Sequence, residues 1–250
     1  MTKVSLTRAS ELQKENRKNL VDLFENSPLS KEEQLINLGL YMRSSYMASL
    51  LFMDEMYKKI LKVPGVVMEF GVWWGANLAV FQSLRGIYEP YNYTRKVIGF
   101  DTFEGYPDSM KDQDKNSKYL FKGNYSVSKN YQDYLNKVME FHELENVMSH
   151  KLKFETVKGD ISATLPEYLK RNPQTIISLA YFDLGLYEPT KKTLEAILPY
   201  LTKGSVLVFD ELNFEDMPGE TVALKEVLGL NRYKIERSSF TPDRCYIVIE

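Results

Sequence analysis

Residues 66–81 constrain this chain more than any other stretch. Val66-Val67-Met68-Glu69-Phe70 is an apolar run of strand length, Gly71 and Gly75 bracket a turn, and Ala76-Asn77-Leu78-Ala79-Val80-Phe81 begins a helix. A strand, a glycine turn and a helix start predict a doubly wound α/β domain with a nucleotide-type site at the turn. The turn departs from the dinucleotide fingerprint Gly-x-Gly-x-x-Gly, because Glu69 stands where the first glycine belongs. Those glycines let the backbone press against a pyrophosphate, and a carboxylate there repels it. S-adenosylmethionine has no phosphate and carries an ammonium and a sulfonium. The stretch therefore reads as a methyl-donor site rather than an NAD site, with Glu69, Phe70, Gly71, Gly75 and Asn77 against the donor.

Strand-like and helix-like segments alternate from Val66 to the end without a linker, which predicts one α/β domain over residues 63–250. The second strand, Lys96 to Asp101, ends in an acid that either hydrogen-bonds a ribose, with Thr102 and Phe103 beside it, or is a surface carboxylate at a strand end. Asp101 lies 32 residues past Glu69 (101 − 69), more than the usual spacing of about 20. The polar connection 86–95 absorbs much of the surplus. Residues 105–150 form a long polar excursion with a helix from Tyr131 to Phe141, placed as a lid or substrate loop. A third strand, Lys153 to Lys158, leads to Asp160-Ile161. Asp160 either caps the next helix or meets the donor's adenine amino group. The fourth strand, Ile176 to Phe182, ends at Asp183; a helix from Glu188 to Leu201 follows. The fifth strand, Ser205 to Phe209, ends at Asp210-Glu211. A helix at Thr221 to Leu228 and an antiparallel hairpin, Tyr233–Arg237 with Cys245–Ile249, close a seven-stranded, mostly parallel sheet.

Residues 1–62 read as helical, with capping-box spacing at Ser30-Lys31-Glu32-Glu33. Leu35 to Leu61 is rich in Met, Leu and Tyr. It packs on the sheet, or forms a cover that brings Tyr41, Met42 and Ser45 to the ligand, or makes a homodimer contact. These readings are compatible.

Ligands of open α/β sheets bind beyond the carboxyl ends of the strands, and five acids fall there: Glu69, Asp101, Asp183, Asp210 and Glu211. If the fourth and fifth strands are neighbours, about 4.8 Å apart, Asp183, Asp210 and Glu211 converge. Clustered carboxylates push one another's pKa upward, and a divalent cation removes that cost. All-oxygen ligation favours Mg²⁺. In methyl transfer such an ion would stabilise a hydroxyl nucleophile, with Asp183 as the base that takes its proton.

The totals exclude other chemistries. One cysteine, Cys245, rules out an internal disulfide and a cysteine-rich metal site, and two histidines, His142 and His150, leave no multi-His zinc site. A net charge of −2 points to neither nucleic acid nor an anionic membrane. No signal-peptide pattern and no apolar run of membrane length is present, so a cytoplasmic location is expected.

Five segments taken in order, Glu69-Phe70-Gly71-Val72-Trp73-Trp74-Gly75, Phe100-Asp101-Thr102-Phe103-Glu104-Gly105, Gly159-Asp160 with Thr164-Leu165-Pro166, Asp183 with Tyr187-Glu188, and Asp210, resemble the macrocin O-methyltransferase (TylF-like) family. The resemblance runs over roughly residues 40–250. It implies a Rossmann-like class I methyltransferase fold, S-adenosylmethionine at Glu69, Gly71, Asp101 and Asp160, and Mg²⁺ at Asp183, Asp210 and Glu211. It also implies a sugar or glycosylated hydroxyl as acceptor. The chain departs from the family pattern at Trp74, where an arginine is usual, at Gly185, where a second aspartate follows the fourth strand, and at Glu211, which replaces an aspartate. Two rival readings follow: a metal-independent N- or O-methyltransferase, and a nucleoside-binding relative without catalysis.

Overall fold

The computed structural model describes residues 9–107, 111–114 and 117–250. Five parallel strands form the centre of the sheet: β1 (Val66–Phe70), β2 (Val97–Asp101), β3 (Phe154–Lys158), β4 (Ile177–Phe182) and β5 (Leu201–Phe209). The closing hairpin, β6 (Ile235–Arg237) and β7 (Cys245–Val248), completes the order β3-β2-β1-β4-β5-β7-β6, with β7 antiparallel to both its neighbours. The chain runs outward from β1 to β3 and then returns to β4 on the other side of β1. That reversal opens the crevice in which such sheets bind ligands.

Strand alternation sorts the core into two faces. Val67, Leu179, Tyr181, Val206 and Val208 pack under α3 (Ser44–Lys59), α4 (Ala76–Tyr88) and α5 (Tyr131–Leu144). Met68, Phe70, Phe182, Leu207 and Phe209 pack under α6 (Ile161–Arg171), α7 (Tyr187–Ile197) and α8 (Gly219–Val227). All six residues of β4 are buried, as expected for a strand covered on both faces. A third, smaller cluster of Tyr119, Leu120, Leu186 and Met217, with Tyr106, Tyr125 and Phe214 against it, lies outside these two layers and joins the excursion to the segments after β4 and β5.

Several boundaries differ from the sequence reading. The helix expected from Glu188 to Leu201 stops at Ile197 and tightens into a 3-10 turn, Leu198–Tyr200. Pro199 has no N–H to continue the helix, and β5 then begins at Leu201 rather than Ser205. The last helix begins at Gly219, two residues earlier than expected, which brings Glu220 into its first turn. The segment from Leu35 to Leu61 is broken. Here α2 (Lys31–Ile36) ends at Asn37, a 3-10 turn follows over Leu38–Tyr41, and α3 begins at Ser44. Only Phe52, Met53, Met56 and Tyr57 of α3 are buried, and α1 (Glu11–Glu25) buries no side chain. Of the expected N-terminal cover, residues 1–8 lie outside the described residues, as do 108–110 and 115–116 of the excursion. No helix among the described residues is long and apolar enough to cross a membrane.

Candidate active site

The turn after β1 is held by hydrogen bonds from both neighbouring strands. Gly71 donates to the Phe100 carbonyl at 2.9 Å, and Asp183 donates to the Phe70 carbonyl at 2.8 Å. Gly71 has φ +92°, and a Cβ there would lie 1.9 Å from the Asp183 carbonyl oxygen, so no side chain fits. Asp101 supports the same turn from β2. Its carboxylate accepts from the Val72 and Trp73 amides, both at 2.7 Å, and from Phe103 at 2.5 Å. These bonds hold Trp73 and Phe103 at φ +49° and +56°, a left-handed conformation rare for aromatic residues. Three of about four acceptor positions on this carboxylate are thereby used. The acid expected to bind ribose is thus engaged first in shaping the turn.

Glu69 lies on the α4 side of β1 and is 1% exposed, and neither carboxylate oxygen has a hydrogen-bond partner. Burial pushes its pKa well up and Asp183 pushes it further. The Asn77 amide acts the other way without completing a bond. A buried acid without partners is costly; it is the arrangement expected where a cationic ligand completes the site.

The remaining expected donor residues divide. Gly75 begins α4 with φ +80°. Asp160 caps α6 by accepting from Ser162 at 2.8 Å. Thr102 turns its hydroxyl to the Gly105 carbonyl. The side chains of Phe70 and Ile161 lie in the core, Phe70 against Phe100 and Phe182 with ring centroids 5.7 and 5.1 Å away, so that each presents its main chain to a ligand at the strand ends. Tyr41 donates its hydroxyl to Ser27 and sets its ring edge-on to Phe24, which turns it toward α1. Met42 is half-buried at the end of the 3-10 turn. Ser45 lines a cavity of about 370 Å³ shared with Arg43, Asp210, Glu211 and Arg244, so it stands beside the acid cluster rather than at Glu69.

β4 and β5 are neighbours, and ligand atoms of Asp183, Asp210 and Glu211 lie within 4.8 Å of one another. Burial and then the Asp210 charge raise the Asp183 carboxyl; burial, Glu220 and Asp183 raise Glu211. Four residues of this site escaped the sequence reading. Glu220 is fully buried and accepts from the amides of Leu184, Gly185 and Glu211, tying the segments after β4 and β5 together; burial and Asp210 push it up to about 8. Asp210 Oδ1 accepts from the Tyr181 hydroxyl and from Arg244 Nε, both at 2.5 Å, and Arg244 also reaches the Ser49 hydroxyl of α3. Burial works against the Arg244 charge, but Asp210 and Tyr181 outweigh it and its pKa is raised. Tyr106 is the fourth. The Arg244 signal was legible: Phe209 pairs with Cys245, so an acid ending β5 falls opposite an arginine opening its antiparallel neighbour. Glu220 and Tyr106 reach the site through loops that no periodicity describes.

Comparison with known proteins gives the family. The family profile described as Macrocin-O-methyltransferase (TylF) matches residues 49–226. The crystal structure of CalS11, a calicheamicin methyltransferase, is 45% identical, covering 97% of this chain and 94% of that one, with a TM-score of 0.94. An apo structure of CalS11, described as a TDP-rhamnose 3'-O-methyltransferase, is 42% identical over 97% of this chain and 96% of that one, with a TM-score of 0.86. The O-methyltransferase NovP shares the fold at 18% identity, 81% of this chain, 79% of that one and a TM-score of 0.63. No curated protein sequence matches the chain. The profile match, the identity to CalS11 over nearly the whole chain and the seven-stranded order together show that this chain belongs to the macrocin-O-methyltransferase (TylF) family and is an S-adenosylmethionine-dependent methyltransferase.

Proposed function

We propose that the chain methylates a hydroxyl of a nucleotide-linked or otherwise glycosidic sugar, with Glu69 holding the donor's ammonium and Asp183 acting on the acceptor. The observation that carries this reading is the pair of adjacent anionic sites at the sheet's switch point. One is a buried, unpartnered carboxylate suited to a cation; the other is a cluster of acids suited to polyhydroxyl ligands. The acceptor class follows from the likeness to CalS11 across nearly the whole chain.

In-line displacement at a sulfonium methyl needs an oxygen nucleophile that loses its proton as it attacks. Asp183 heads the segment after β4, fixed by the hydrogen bond its amide donates to the Phe70 carbonyl and beside the turn after β1. Its carboxylate is the group that would accept the hydroxyl proton. Glu220 keeps Asp183 and Glu211 in register by binding the amides around them. Arg244 and Tyr181 both donate to Asp210 Oδ1 and so fix that carboxylate.

The acids fit a divalent cation. Glu211 Oε2 is buried without a partner, and three carboxylates converge while Arg244 pairs with Asp210. Asp183, Asp210 and Glu211 would hold it, and when bound it supplies charge stabilisation to the oxygen nucleophile. Helix α3 bears on the same site through Ser45 and Ser49, which supports a covering role for that helix.

The test is mass spectrometry of a nucleotide-sugar panel, TDP-rhamnose included, incubated with labelled S-adenosylmethionine, with Mg²⁺ or with EDTA. Label on a sugar hydroxyl that EDTA suppresses is the expected result. Label that EDTA leaves intact removes the metal, and label on no sugar removes the acceptor class.

A further inference from the structure

Tyr106 stands at the acid cluster and is used by nothing described so far. It follows β2 on a short latch. Its amide donates to the Asn124 carbonyl at 3.0 Å, and its carbonyl accepts from Gly123 at 2.9 Å. The bend before it needs Gly105, at φ +77°, where a Cβ would lie 2.3 Å from the Asn124 carbonyl oxygen. Asn124 is buried and fastened in turn to the Tyr119 carbonyl at 2.8 Å. The Tyr106 ring is therefore aimed by rigid main chain, not by a loose loop.

The hydroxyl points at the segment after β4. A Cβ placed on Gly185 would meet Tyr106 Oη at 2.8 Å and Met217 Cε at 3.1 Å, so the phenol occupies the space a side chain at 185 would take. The charges of Glu211, Asp183 and Glu220 all bear on it. Yet it makes no hydrogen bond to any of them, nor to any other described residue. The residue is half-buried, an apolar body packed on the third cluster with a polar tip left for a ligand. Here the partner is missing on the side where the acceptor must lie for Asp183 to reach its hydroxyl.

The ring continues a line of aromatic faces toward the donor turn. Tyr106 meets Tyr125 edge to face at 5.5 Å, Tyr125 meets Trp73 at 5.5 Å, and Trp73, 40% exposed, adjoins Trp74 at 6.0 Å. Carboxylates that accept from hydroxyls, together with an aromatic wall against an apolar ring face, match the two-sided chemistry of a pyranose.

We propose that Tyr106 is an acceptor-binding residue: its hydroxyl hydrogen-bonds a sugar oxygen next to the reacting one, and the Tyr106–Tyr125–Trp73 wall holds the sugar ring. This rests on the sugar reading given above and names the contact that would enforce it. The test is Tyr106→Phe, which keeps the ring and its packing, with TDP-rhamnose as the probe acceptor. Both tryptophans of the chain, Trp73 and Trp74, lie in the donor turn, so intrinsic fluorescence follows S-adenosylhomocysteine binding separately. Loss of one such hydrogen bond is expected to raise KM for the sugar about tenfold, with the affinity for S-adenosylhomocysteine and the melting temperature unchanged. A variant with wild-type KM and kcat overturns the inference while the sugar reading stands. A variant that loses donor affinity and stability together shows a structural role and also overturns it. A wild-type protein that binds S-adenosylhomocysteine but methylates no sugar overturns the functional reading, and this inference with it.

Discussion

Glu69→Gln separates what this acid does for the fold from what it does for the ligand. The wild-type carboxylate is buried with both oxygens unpartnered, and burial followed by the Asp183 charge holds its pKa well above the ordinary carboxyl value. The folded chain therefore binds this proton more tightly than the unfolded chain. The stability tied to the protonated form is present below the ordinary carboxyl pKa and is lost as pH rises toward the raised value. The amide carries no charge at any pH, so the variant is spared that loss. Relief of roughly 1–2 kcal/mol for a buried unpaired acid corresponds to about 2–8 °C in a chain of this size. The ligand-free variant should thus melt higher than wild type at pH 7.5, with the gap closing by pH 5. Donor affinity moves the opposite way. Removing one partner of a buried charge pair costs about 2–3 kcal/mol, or roughly 30- to 150-fold in Kd. Differential scanning fluorimetry across pH reads the first effect, and calorimetric titration with S-adenosylhomocysteine reads the second. An unchanged Kd, or a variant that melts lower at pH 7.5, refutes the assignment of Glu69 as the donor's counter-charge.

Asp183→Asn should abolish methyl transfer while changing S-adenosylhomocysteine affinity less than about threefold; equal loss of both, by activity assay and calorimetry, would make Asp183 a donor or scaffold residue. A divalent cation should raise the melting temperature, by about 5–10 °C at a hundred times its Kd. That gain should be larger at pH 8 than at pH 6, because Asp183 and Glu211, both raised, must shed protons to bind it; a melting curve indifferent to Mg²⁺ and Mn²⁺ contradicts the metal site. Gly71→Ala places a Cβ 1.9 Å from the Asp183 carbonyl at φ +92°, so the chain should fail to accumulate in folded form, as gel filtration and circular dichroism would show.

Much of this molecule was legible because its signals are local and periodic. The apolar strand β4, the glycine turn at Gly71 and the acids closing β1, β2, β4 and β5 each declare themselves within a few residues. Parallel connectivity then brings the strand ends together, and the convergence of Asp183, Asp210 and Glu211 needs only that β4 and β5 pair. What was hidden arrives from distant sequence. Glu220 enters because α8 starts two residues early, and Gly219 lets its first turn abut Leu186 and Tyr187, where a Cβ would lie 2.4 Å from the Tyr187 amide nitrogen. Tyr106 enters through a latch to Gly123 and Asn124. The Met- and Tyr-rich run from Leu35 to Leu61 misled because its richness suggests core along its whole length. Tyr46, Met47 and Leu51 are exposed, and only the second half of α3 is buried under α4.

The most direct measurement is a crystal structure with S-adenosylhomocysteine bound. The ligand's amino group is expected on the Glu69 carboxylate, its ribose near the one acceptor position Asp101 has left, and its sulfur facing Asp183. Density that leaves the space beside Glu69 empty, or a ligand whose amino group is held elsewhere, would contradict it.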